Sequence, residues 1–184
     1  FKQPNHVGGP VHSHQDSTFL YTDPKPTCLG LWLALDDATL QNGCLWVRVG
    51  SHKEPIRRQF CRNEQHFTSQ VLEERSNVGK GDLSEPKMLM KELVCENNTT
   101  APWEARLPTR EELEEQEQHS LSSPIIIPVE CKAGDLLAFV GTLDHWSLPN
   151  ITKNQPRHTF QLHLVEGPKA GITWSKLNWL QYPK

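Results

Sequence analysis

Residues 11–24 read VHSHQDSTFLYTDP. His14 and Asp16 stand two apart in this stretch, and on an extended chain positions i and i+2 face the same side, about 6–7 Å apart. An imidazole nitrogen and a carboxylate oxygen placed that way can share one metal ion. An H-x-D tripeptide alone is ordinary, but two histidines with one carboxylate form the facial set that holds non-haem iron(II) and leaves coordination positions open. A second, distant histidine is therefore the feature to look for. LAFVGTLDHWSLPNITKNQPRHTF supplies His145, just past an apolar run, and Arg157 twelve residues later. A guanidinium is a planar fork suited to a carboxylate. Arg157 shares its parity with Thr159, Gln161 and His163, the polar side of the run it opens.

Other candidates read more plainly. His12 is structural or solvent-facing, because the ligand set is complete without it. His52, in GSH, suits a turn after a strand. His163 is either an outer support for a ligand or a simple polar-face residue. Trp46 reads as core packing, and Cys44 and Cys131 as small buried apolar residues.

The elements that must position these groups are short strands. CLGLWLALDD (28–37) and CLWVRVGSH (44–52) flank ATLQNG, whose Asn42-Gly43 reads as hairpin punctuation. DLLAFVG (135–141) follows the turn signal Ala133-Gly134. RHTFQLHLVE alternates, with Phe160, Leu162 and Leu164 on one face and Thr159, Gln161 and His163 on the other. A polar side on such a strand is what the mouth of a ligand-holding barrel needs. The pattern predicts an all-β sandwich or barrel. Residues 61–123 differ: they are polar and read as a solvated surface excursion. Thr109 with Glu112 forms a capping box there, which predicts a short helix from about Arg110. No internal repeat is visible.

The 184 residues suffice for one domain with a substantial core or two small ones. Fourteen prolines and eleven glycines favour short elements over long helices. A net charge of −3 provides no basic field for nucleic acid or an anionic membrane, and no apolar run approaches the ~20 residues of a membrane span. Five cysteines without a C-x-x-C pair argue against a disulfide framework or zinc knuckle and for a reducing, cytoplasmic compartment. The N-x-Thr matches at Asn97, Asn98 and Asn150 read as coincidence. The chain opens at Phe1 without a methionine or signal-like stretch, and so reads as a fragment.

FKQPNHVGGPVHSHQDSTFLYTDP, LGLWLALDDATLQNGCLW, GSH and the closing NWLQ resemble the phytanoyl-CoA hydroxylase family, over residues 1–60 and 124–181. The resemblance implies an iron(II)- and 2-oxoglutarate-dependent dioxygenase on a mostly β, double-stranded β-helix (jelly-roll) core. That core is one domain over 1–184, incomplete at its N-terminus and carrying the 61–123 insertion. It implies that His14, Asp16 and His145 bind iron, that Trp32, Ser147 and Arg157 contact 2-oxoglutarate, and that Gln15 lies beside the co-substrate. O2 would be the oxidant, succinate and CO2 the co-products, and a small-molecule or lipid-like compound the substrate. A jelly-roll module that binds metal or 2-oxoglutarate without turnover stays open, as does an inactive truncated product. So does a cupin-type zinc hydrolase, since the same three ligands suit zinc; the arginine following His145 favours the oxygenase.

Overall fold

The computed structural model describes residues 1–63, 66, 86–93 and 125–180. The chain order of strands is β1 Val11–His14, β2 Thr22–Asp23, β3 Leu29–Ala34, β4 Leu45–Arg48, β5 Arg58–Arg62, β6 Met88–Glu92, β7 Ile126–Val129, β8 Leu136–Val140, β9 His145–Ser147, β10 Thr159–Leu164 and β11 Thr173–Trp174. Two sheets carry the site: one ordered β1-β9-β4-β7, the other β10-β3-β8. Pairs β11-β2 and β5-β6 flank them. The mostly β, jelly-roll architecture expected from the sequence is what forms.

Alternation explains how the two sheets meet. Along β3, Gly30, Trp32 and Ala34 turn inward, while Leu29, Leu31 and Leu33 turn out. Trp32 and Ala34 pack against Leu45 and Trp46 of β4 and Trp146 of β9, with Cys44, Ile126 and Cys131 completing the core. Trp46, Cys44 and Cys131 thus pack as expected. The four described cysteines are buried free thiols.

One expectation changes. Asn42-Gly43 does not close a hairpin: β3 pairs with β10 and β8, whereas β4 pairs with β9 and β7. The segment between them carries the chain from one sheet to the other. The Asn42 amide is buried there, donating to the Asp37 carbonyl and accepting from the Thr39 N–H. Gly43 has φ +88, and a Cβ on it would come within 2.6 Å of the Leu148 carbonyl. Within 61–123, β6 pairs with β5 in full register from Arg58↔Glu92 to Arg62↔Met88; Cys61 is buried, while Met90, Lys91 and Glu92 are exposed. The capping box at Thr109, the helix from Arg110, and Asn97 and Asn98 lie outside the described residues. Asn150 lies inside them, fully buried, with its amide bonded to Gln155 and Thr152.

The alternation of β10 is as read, but its sense is inverted relative to an ordinary sandwich. Thr159, Gln161 and His163 face the interior. Phe160, Leu162 and Leu164 lie outside, 53%, 47% and 49% exposed, opposite Leu33, Leu31 and Leu29 of β3. This end holds an open cavity of mixed lining and not packed core, and the polar face of the strand is the one that lines it.

Candidate metal centre and its cavity

His14 is the last residue of β1 and His145 the first of β9, and the two are directly opposite in the antiparallel register. A register shift between Val11 and His14 marks a bulge, the kind of irregularity that re-aims side chains beside a site. The strand ends at His14, earlier than the sequence pattern suggests. Gln15 remains extended and Asp16 opens a short 3-10 turn, Asp16–Thr18, so His14 and Asp16 still project to one side.

The three ligand atoms lie within 4.8 Å of one another. Asp16 Oδ1 is 3.5 Å from His14 Nε2 and 3.7 Å from His145 Nε2. Each imidazole is oriented by a backbone carbonyl: His14 Nδ1 donates to His12 at 2.8 Å and His145 Nδ1 to Leu143 at 3.0 Å. Both bonds leave Nε2 as the free donor atom, the arrangement metal-binding histidines use. The other oxygen of Asp16 accepts from His163 Nε2 at 3.0 Å. Gly30, opposite His163 in the register, makes room for this contact: a Cβ on it would lie 3.1 Å from Asp16 Oδ2 and 3.0 Å from the Phe139 ring.

Electrostatics follow from burial and mutual contact. Burial works to raise the Asp16 pKa, yet the three histidines around it hold the carboxyl below its ordinary range. Burial, the largest influence on His14, lowers its pKa; the Asp16 bond and charge, the His12 carbonyl and Asp144 outweigh it and hold it high. His145 is pushed down, by burial first and then by His14.

A cavity of about 280 Å³ opens beside these ligands, and Trp32, Ser147 and Arg157 line it with them. Arg157 is 4% exposed, its Nη1 donates to Thr159 Oγ1 at 3.2 Å, and its guanidinium lies 5.4 Å from the Trp32 ring centre. Its Nε has no partner, nor does Trp32 Nε1. Among the described residues no carboxylate pairs with Arg157. A buried cation with one neutral partner is costly, and the deficit matches an anion.

Six of the seven sequence-selected residues therefore converge on one cavity. Gln15 does not line it. Its amide is committed elsewhere, donating to Thr142 and Pro55 carbonyls and accepting from the Arg57 N–H. His12 is exposed and outside the ligand group, and His52 sits in the 3-10 turn Ser51–Lys53. Two contributors have no sequence signal of their own. Asp144 is fully buried and accepts from Ser13 Oγ at 2.5 Å, Arg48 Nε at 3.1 Å and Arg57 Nη2 at 2.8 Å, tying β1 to β9 beside the ligands. Lys2, 4% exposed, is the other.

A family model for phytanoyl-CoA dioxygenase matches residues 1–159. The chain is 38% identical over 183 residues to phytanoyl-CoA dioxygenase 1 of Oryza sativa subsp. japonica, matching 98% of this chain and 47% of that protein. It is 34% identical over 181 residues to phytanoyl-CoA dioxygenase domain-containing protein 1 of Rattus norvegicus, again 98% of this chain and 47% of that one. The chain thus spans about half the length of the curated relatives it matches. Among solved structures, EvdO2 from Micromonospora carbonacea complexed with 2-oxoglutarate aligns with TM-score 0.50 at 17% identity, covering 97% of this chain and 54% of that one. The non-heme monooxygenase ThoJ, apo, aligns with TM-score 0.50 at 18% identity, covering 94% and 45%. At such identities these two likenesses speak for the fold.

Proposed function

The chain belongs to the phytanoyl-CoA dioxygenase family, and on that premise we propose that it is the iron(II)- and 2-oxoglutarate-binding core of a dioxygenase. The observation that carries the reading is the convergence of two histidine Nε2 atoms and Asp16 Oδ1 on a cavity that also holds an unpaired buried guanidinium. His14, Asp16 and His145 would hold the metal. Arg157 would take the distal carboxylate of 2-oxoglutarate in two parallel hydrogen bonds, with Ser147 beside it and Trp32 as the wall. Bound iron(II) with 2-oxoglutarate and O2 supplies oxidation of a substrate C–H bond, releasing succinate and CO2. The protein's part is to orient the metal and the co-substrate and keep water out.

The substrate is a small molecule with apolar character, for which Val11, Leu45 and Trp146 offer cavity wall. The described thiols, all free, support a reducing cytoplasmic setting. No helix among the described residues is long and apolar enough to cross a membrane. Residues 1–184 would form a single core.

Anaerobic titration with iron(II) and then 2-oxoglutarate tests this. A metal-to-ligand charge-transfer band should appear, and O2 should then yield succinate. A band without O2 consumption would leave a binding module, and tight zinc with no band would favour a hydrolase.

A further inference from the structure

Lys2 is buried as deeply as Arg157, and the two are partners. Their backbones form an isolated antiparallel bridge with reciprocal hydrogen bonds, Lys2 N–H to Arg157 O at 2.8 Å and Arg157 N–H to Lys2 O at 3.0 Å. Directly opposed residues of an antiparallel pair place their side chains on one side, and both side chains line the cavity. They approach it from different walls. The Lys2 stem lies over Gly43 at the entry to β4, where a glycine Cβ would meet Lys2 Cδ at 2.8 Å. The Arg157 guanidinium lies over Trp32 of β3.

Neither cation has a carboxylate partner among the described residues. The ammonium donates to the Gly9 carbonyl, a neutral acceptor. Burial, and then the Arg157 charge, push the lysine pKa down to about 8. Two buried cations side by side repel each other and are both desolvated. One anion between them relieves both penalties together.

We propose that Lys2 is a second cation of the co-substrate clamp, its ammonium and the Arg157 guanidinium taking the same distal carboxylate of 2-oxoglutarate. The inference rests on the function proposed above and adds a binding residue to it. The alternative use of Lys2 is as a strut that holds the Gly9 loop through its carbonyl.

Lys2→Gln separates the two roles, because the amide can still donate to Gly9 while the charge is gone. The readout is the charge-transfer absorption of the anaerobic iron(II)-loaded chain, titrated with 2-oxoglutarate and with 2-oxobutyrate. Both acids chelate metal through the same 2-oxo acid end, but only the first has a distal carboxylate. Losing a charge-assisted bond should weaken 2-oxoglutarate about tenfold or more, with 2-oxobutyrate within about twofold of wild type. In an Arg157→Gln background the same change should cost less, because both groups act on one carboxylate. Wild-type affinity for 2-oxoglutarate in Lys2→Gln, or equal weakening of the two acids, overturns the clamp. Should Lys2→Gln unfold, Lys2→Arg decides: retained preference for 2-oxoglutarate over 2-oxobutyrate supports the clamp, and loss of that preference in a folded protein overturns it. A wild-type chain that binds neither acid overturns the functional reading, and the clamp with it.

Discussion

Two clusters of buried charge adjoin the His14–Asp16–His145 group, and they are built differently. Around Asp144 every charge has an opposite one: Arg48 and Arg57 both pair with it, Ser13 donates to it, and Arg48 also pairs with Glu54. Around Arg157 and Lys2 no such balance exists among the described residues, and Arg157 Nε and Trp32 Nε1 lack partners altogether. Both clusters are expensive to desolvate. The first is compensated within the chain and so acts as structure; the second needs something from outside and so acts as a site.

That contrast can be broken by mutation. The largest effect belongs to the ligands themselves: Asp16→Ala, His14→Ala or His145→Ala should each remove most metal affinity in an iron(II) or cobalt(II) titration, because two ligands hold an open site poorly. His12→Ala should leave it nearly intact. Equal losses at His12 and His14 would mean that the first ligand is misassigned.

Next come the two clusters. Asp144→Ala leaves Arg57 without its carboxylate and Arg48 with Glu54 alone, and should cost about 3–5 kcal/mol of unfolding free energy in urea. Arg157→Gln should leave unfolding unchanged or raise its free energy, since it removes a charge with no partner, while weakening 2-oxoglutarate by roughly 1.5–3 kcal/mol. Arg157→Lys should fall between. A destabilised Arg157→Gln with normal 2-oxoglutarate binding would erase the distinction between the clusters.

His163 sharpens the boundary between support and site. Removing its bond to Asp16 by His163→Leu should lower metal affinity by roughly tenfold, and His163→Gln, which can still donate, should recover part of it. A His163→Leu protein with wild-type metal affinity would reduce the residue to packing.

The smallest effect is at the edge of the satisfied cluster. The Arg48 bond holds the Glu54 carboxyl below its ordinary range, against a weaker push from burial. A depressed folded pKa gives stability that is present above the unfolded value, about 4.3, and lost as pH falls through the folded one. Glu54→Gln should therefore flatten the acid limb of a melting-temperature profile below about pH 4.3; an unchanged limb would place the acid sensitivity elsewhere.

Much of the site was legible because it depends on local geometry. The i, i+2 relation of His14 and Asp16, and the shared parity of Arg157, Thr159, Gln161 and His163, follow from backbone stereochemistry. Gln15, which only the resemblance set beside the co-substrate, has its amide captured by three backbone groups from distant segments, which no local spacing shows. Asn42-Gly43 misled for a related reason. The dipeptide specifies a turn, but whether the next strand pairs with the last one is decided by competing partners, and β10 and β8 already occupy both edges of β3. The alternation of β10 revealed two faces and matched the polar one to a ligand-holding mouth, and that face lines the cavity.

By itself the sequence determined the ligand types, the polar and apolar sides of the strands, and the short-strand, turn-rich class of fold. Tertiary structure decided which groups meet. It set His14 against His145 in register, Ser13 against Asp144 across 131 residues of chain, and Lys2 against Arg157 in a bridge between segments far apart in sequence. The physical reason is the range of the forces. Side-chain alternation is fixed by each residue's own dihedral angles, whereas strand partners and buried charge pairs emerge only when the two sheets close and exclude water.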